Sequence, residues 1–276
     1  GGSSGGGSAT AAPVAHPPAE VAAPPSYAHL PMRGYKIFDA GSDRKGLARV
    51  VAKVREFNAT DAIPIADRLS PDEAGPILDS LCATLSTTNR YHSSTVSDAE
   101  LAVVSGMIAK WPAAQSFPAL DLARLAALHP DACRADRRKH WEEVLGGALE
   151  TCSSLGSKRC ATEVAVPMLA MRLCANCYGG CGGGSAQAAA GILTGRILEC
   201  AEACAPSGNK NVRLSVATAV LNAGSYVHSS SGGGGGGCAA ALSVLDAAGS
   251  VLSRGEYETE PTVRALVALG TALLLP

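Results

Sequence analysis

An all-α fold is what this sequence predicts, and three observations predict it. Apolar residues recur with a period near 3.6 almost throughout the chain. No run alternates with period two between turn signals. The apolar share, 47%, leans on alanine while aromatics reach only 4%. That composition suits helices packed closely on helices better than sheets, which favour aromatic and β-branched residues.

The elements follow in order. Leu47, Val50, Val51, Val54 and Phe57 fall on one helical face. Ser70-Pro71-Asp72-Glu73 is a helix start, with a capping serine, a proline in the first turn and Glu73 completing a capping box; Ile77, Leu78, Leu81 and Leu85 then share a face. Ser97-Asp98-Ala99-Glu100 repeats the box before Leu101, Val104, Ile108 and Trp111, and Pro112 ends that helix. Leu122, Leu125 and Leu128 follow, stopped by Pro130. Further patterns cover roughly 137–150, 162–178, 187–204, 209–227, 239–253 and 261–275. About ten helices could form a bundle or a solenoid; armadillo and HEAT units use two or three helices per roughly 40–47 residues, giving about six units here.

Residues 1–30 read as a flexible Gly/Ser/Pro/Ala-rich linker, and 31–276 as the folded domain, with Gly-rich loops near 179–185 and 229–237. The first residue is Gly1, which reads as a fragment with a further domain upstream. With 23 basic against 24 acidic residues and a net charge of −1, a wholesale binder of nucleic acid or membrane surface is not expected. No apolar run reaches 18 residues. Several of the ten cysteines, among them Cys82, Cys174 and Cys200, sit inside helical apolar patterns, where a thiol packs as a small hydrophobe; the compartment reads as reducing.

The sharpest metal-like spacing is Cys174-Ala175-Asn176-Cys177 with Cys181 after it. The nearest further candidates are Cys200 and Cys204, one helical turn apart. No histidine falls between Cys181 and His228, and the motif ends an apolar helix, so the expectation is no metal, no cofactor and no catalytic residue. His129, before Pro130 at a helix end, reads as a charge set against the helix dipole. The basic run Arg134, Arg137, Arg138, Lys139 and His140 reads as a solvated helix start. Lone arginines inside apolar helices (Arg124, Arg172, Arg213 and Arg264) must snorkel or find an anion. Asp121 can serve Arg124 at i,i+3, and Glu260 can serve Arg264. No acid lies three or four residues from Arg172, which makes it the better candidate for an outside partner.

Five segments then carry a family resemblance. They are Tyr35-Lys-Ile-Phe-Asp39 with Lys53-Val-Arg-Glu-Phe-Asn58; Trp111-Pro112 with Phe117 to Pro130; Met168 to Tyr178; Asn209 to Asn222; and Val263 to Thr271. In this order the chain resembles the PUL domain, the C-terminal module of the phospholipase-activating protein and its fungal relatives. The resemblance implies an armadillo-like solenoid of about six repeats with no catalytic activity. It also implies a basic groove for the acidic C-terminal tail of a hexameric AAA ATPase, valosin-containing protein, in the service of ubiquitin-dependent degradation in the cytoplasm or nucleus. Arg172 and Arg264 fall where the family has groove arginines, and Asn176, Lys210, Arg213 and Asn222 are expected neighbours. With about 10 Å between adjacent repeats, the two arginines are expected some 20 Å apart. A thiol- or zinc-dependent enzyme built on Cys174, Cys177 and Cys181, or a scaffold for another acidic peptide, are the alternatives.

Overall fold

The structure is a computed structural model and describes residues 1–2, 30–86, 94–156, 163–230, 237–253 and 258–274. The expected linker up to residue 29 and most of the loop near 229–237 lie outside the described residues. Among those described there is no strand, and the chain is a succession of helices. They are α1 (Arg44–Asn58), α2 (Leu78–Ser86), α3 (Asp98–Lys110), α4 (Phe117–Ala126), α5 (Arg138–Ser154) and α6 (Ala165–Gly179). Then come α7 (Ser185–Ile192), α8 (Thr194–Cys204), α9 (Lys210–Ser230), α10 (Gly237–Leu252) and α11 (Thr259–Leu273).

Local chemistry sets most of the boundaries. Ser97 caps α3 by accepting from the Glu100 N–H, and Glu100 accepts from the Ser97 N–H at 2.6 Å, which satisfies two orphan donors of the first turn. The same box forms between Ser70 and Glu73. Pro76 then lacks an N–H to donate, and the chain widens into a π-type turn over Glu73–Ile77 before α2 begins. The pattern read as one helix over 187–204 is two helices. Thr194 turns its hydroxyl back onto the Ala190 and Gly191 carbonyls, competing with the backbone ladder, and the chain bends at Leu193.

The helices form two layers. α1, α4, α6, α9 and α11 pack in series as one row, and α3, α5, α7 with α8, and α10 back them as the other. Leu120, Leu122, Met171, Leu173, Val216 and Val220 fill the first row, and Trp141, Leu145, Leu149, Ile197 and Leu198 the second. Ala123, Ala170, Ala219, Ala223 and Ala268 are buried between them, so small side chains set how closely the helices approach. Segment 180–184 is packed at its two ends and exposed at Gly182 and Gly183: a Cβ on Gly180 would lie 2.2 Å from the Ala127 carbonyl oxygen, and one on Gly184 2.7 Å from that of Cys133.

His129 corrects a second expectation. It is buried, its Nδ1 accepts from the Asp131 N–H at 3.2 Å, and its Nε2 lies 2.8 Å from Ser94 Oγ. An accepting Nδ1 leaves the proton on Nε2, so this is a neutral histidine tying two loops together. Burial depresses its pKa, and that of half-buried His140 as well. Because the fold favours the neutral forms, their contribution is full above the unfolded value near 6.5 and is lost as pH falls below it. Urea unfolding at pH 7.5 and pH 5 should show lower stability in acid. His129→Asn, which keeps an acceptor for the Asp131 N–H, should flatten that slope. An unchanged slope would assign the acid loss to other groups.

Candidate functional site

The face of the α4–α6–α9–α11 row carries polar side chains that an all-apolar solenoid would not need. Asn176, Asn222 and Thr271 are fully buried on successive helices of that row, and Arg124 is nearly so. All four turn toward the chain's own extended segment, residues 30–40. Met32 N–H donates to Thr271 Oγ1 at 3.1 Å. Lys36 N–H donates to Asn222 Oδ1 at 2.9 Å, and Asn222 Nδ2 donates back to the Lys36 carbonyl at 2.7 Å. Phe38 forms the same two-way pair with Asn176, at 2.7 and 2.9 Å. Arg124 closes the series, donating to the carbonyls of Phe38 at 2.8 Å and Ala40 at 2.6 Å while Asp121 pairs with its Nε.

The contacted residues, 32, 36, 38 and 40, are all of one parity, as an extended chain requires if one edge faces the helices. Eight residues at ~3.3 Å each span about 26 Å. Three helix-to-helix steps of 8–10 Å come to about 24–30 Å. The segment therefore matches the row in length, and it runs against the order of the helices. Each asparagine also uses its second N–H on a neighbouring helix: Asn176 on the Arg124 carbonyl at 2.8 Å, Asn222 on the Ala175 carbonyl at 2.9 Å. Gly179 and Gly270 complete the fit, since a Cβ on either would come within 2.7 Å of Tyr35 Cβ and Leu30 Cδ1 respectively.

Arg172 stands beside this segment, and both it and Arg264 reach across to α9. Arg172, on α6 one turn before Asn176, donates from Nε to Ser215 Oγ on α9 at 3.1 Å, and its guanidinium lies 4.8 Å from the centre of the Phe38 ring. Arg264, on α11, donates to Thr218 Oγ1 on the same helix α9. Ser215 and Thr218 lie three positions apart on one helical face, so both guanidinium groups are anchored on α9.

Their charges are not equally compensated. Arg264 is paired with Glu260 at 2.6 Å. Among the described residues no carboxylate pairs with Arg172. Burial, and after it the positive charge of Arg124, push the Arg172 pKa below the usual guanidinium value, with Asp121 acting the other way. Of the remaining expected neighbours, Arg213 is buried, bonded to the Ser207 carbonyl at 2.8 Å and paired with Glu258 at 2.9 Å. Lys210 is exposed at the start of α9. Asn176 and Asn222 spend their carboxamides on segment 36–38. The segment itself, with Phe38, Arg124, Ser215, Thr218 and Thr271, was missed. The available signal was the recurrence of a polar residue every 46–52 positions on apolar helices, at 124, 176, 222 and 271.

Cys174 and Cys200 are buried inside their helices, as the apolar patterns around them suggested. Cys174 and Cys177 are buried and their thiols are pushed well up by that burial, the opposite of what a thiolate nucleophile needs. The only three-cysteine group whose sulfurs come together among the described residues is Cys152, Cys200 and Cys204.

A helical solenoid with an extended segment held along one row of helices defines a class, the armadillo-like protein-interaction module. Within that class the chain belongs to the PUL domain family: the family model matches residues 30–276, a span that includes the whole extended segment 30–40. No curated protein matches the chain. Among the described residues no helix is long and apolar enough to cross a membrane.

Replacing Asn176 or Asn222 by alanine leaves two backbone groups of the segment and one helix carbonyl without their partner. Each should cost about 1–3 kcal/mol in urea unfolding, and amide exchange at Phe38 or Lys36 should accelerate selectively. Exchange that stayed slow in the Asn176→Ala protein would mean that the apolar contacts alone hold the segment.

Proposed function

We propose that this PUL domain is a non-catalytic adaptor that binds the acidic C-terminal tail of a hexameric AAA ATPase of the valosin-containing-protein type, and so serves ubiquitin-dependent protein degradation. Membership of a protein-interaction family supports a protein partner. The observation that carries the finer reading is Arg172. It is a guanidinium held by a hydroxyl and an aromatic ring beside the extended segment, with no carboxylate paired to it among the described residues. An anion arriving there gains a charge-assisted bond without displacing an internal partner. Arg264 supplies a second positive charge anchored on the same helix, α9, three positions along from the Arg172 contact.

The two arginines should not contribute equally. A peptide carboxylate at Arg264 must share the guanidinium with Glu260, whereas Arg172 offers its charge outright. Lys36 and Arg33, exposed on the segment, add to the positive field.

Fluorescence anisotropy with a labelled acidic-tail peptide tests the reading. Arg172→Ala should weaken binding about 10- to 100-fold, from the ~1.5–3 kcal/mol of a charge-assisted hydrogen bond. Arg264→Ala should weaken it less, the Arg172→Glu/Arg264→Glu double variant should abolish it, and added salt should weaken it throughout. Intact tail binding by the folded double variant would overturn the groove assignment. A scrambled peptide of the same charge binding equally well would favour a general scaffold for acidic peptides.

A further inference from the structure

Cys200 and Cys204 stand one turn apart on α8 and share a face. That face meets Cys152 near the end of α5, and all three residues are buried. The Cys152 and Cys204 sulfurs are 3.5 Å apart, and the three sulfurs lie within 4.8 Å of one another. Three sulfurs around one ion at a metal–sulfur distance of about 2.3 Å sit about 3.8 Å apart in a tetrahedral set and about 4.0 Å in a planar trigonal one. The triangle in the fold brackets both values, so closing it on an ion takes movements under about 1 Å. Beside it lies a pocket of about 220 Å³ between the end of α5 and α8, lined in part by Ser153, Arg196, Glu199 and Cys200. Cys200 belongs to both pocket and triangle, which gives an ion an entry path and room for a water as a fourth ligand. Arg196 and Glu199 line the pocket with opposite charges, so its wall is polar without adding net charge.

We propose that Cys152, Cys200 and Cys204 form a binding site for a soft d10 metal ion, Zn2+ or Cu+, independent of the peptide groove. An all-sulfur donor set selects such ions over Mg2+ or Ca2+, which demand oxygen ligands. Binding converts thiols to thiolates and releases their protons to solvent, so uptake strengthens as pH rises. The site takes the Cys200/Cys204 pair that the sequence offered to the CxxC motif and joins it to a cysteine some fifty residues upstream.

The 276-residue chain, stripped of metal and kept reduced and anaerobic, is titrated with Zn2+ alone and with Cu+ alone against a chromophoric chelator. One equivalent of at least one ion should bind with a Kd below about 1 μM, and its X-ray absorption spectrum should show three sulfur neighbours near ~2.3 Å. Cys152→Ala and Cys200→Ala/Cys204→Ala should each lower affinity by more than about 100-fold with the helical circular dichroism unchanged, while Cys82→Ala/Cys238→Ala leaves it intact. Three results would overturn the site: no uptake of either ion, a shell of nitrogen and oxygen, or full affinity retained in folded Cys152→Ala. If a variant fails to fold, the sulfur count of the wild-type complex decides alone.

Discussion

The two-way hydrogen bonding of two buried asparagine carboxamides is the constraint on which this structure depends. A primary amide offers an acceptor oxygen and two donor hydrogens. Asn176 and Asn222 use the oxygen and one hydrogen on a single residue of the extended segment, and the other hydrogen on the next helix of the row. No other uncharged side chain of that length joins three backbones at once. Asp would lack the donors and Leu would leave all three groups bare. A buried polar group this fully satisfied adds to stability and fixes register together, because a one-residue slip of the segment would present the wrong edge of the backbone.

The segment in turn creates the electrostatic character of the face. By laying Phe38 under Arg172 and its carbonyls against Arg124, it takes up one guanidinium completely and leaves the other on an aromatic ring. The neighbouring Arg124 charge disfavours a second cation close by, Asp121 acts the other way, and among the described residues no carboxylate pairs directly with Arg172. The outcome is a positive site built within a chain whose overall charge is close to zero. Composition averages over the whole surface, whereas ligand recognition depends on which charges remain unpaired at one place.

Packing economy accounts for the rest of the interior. Alanine and cysteine are small enough to let helices in both layers approach closely, and burial keeps the Cys174 and Cys177 thiols protonated and inert. Burial and clustering nevertheless have opposite consequences for sulfur chemistry. A thiol among hydrocarbons is a small hydrophobe, while three sulfurs converging beside a pocket form a donor set, and the difference lies wholly in where neighbouring helices place them.

Helix positions, capping boxes and the proline stops were legible from residue order alone, because they depend on interactions within about four positions: Ser97 with Glu100, Ser70 with Glu73, Pro112 after α3. The family was legible too, through segments such as Met168–Tyr178 whose order is independent of folding. Arg172 could be singled out by a local absence, the lack of an acid one turn away. What lay beyond sequence was every relation across tens or hundreds of residues. Lys36 meets Asn222 across 186 positions and Met32 meets Thr271 across 239. The anchoring of Arg172 and Arg264 on one helix, α9, depends on how three helices pack, and the meeting of Cys152 with Cys204 depends on the pairing of α5 with α8. His129 shows the same divide: its place at a helix end suggested a charge, and only its burial in the fold, against the pull of the Asp131 carboxylate, made it neutral. Local periodicity carries no information about which helix faces which, so the sequence determined the elements and the tertiary structure alone decided the site.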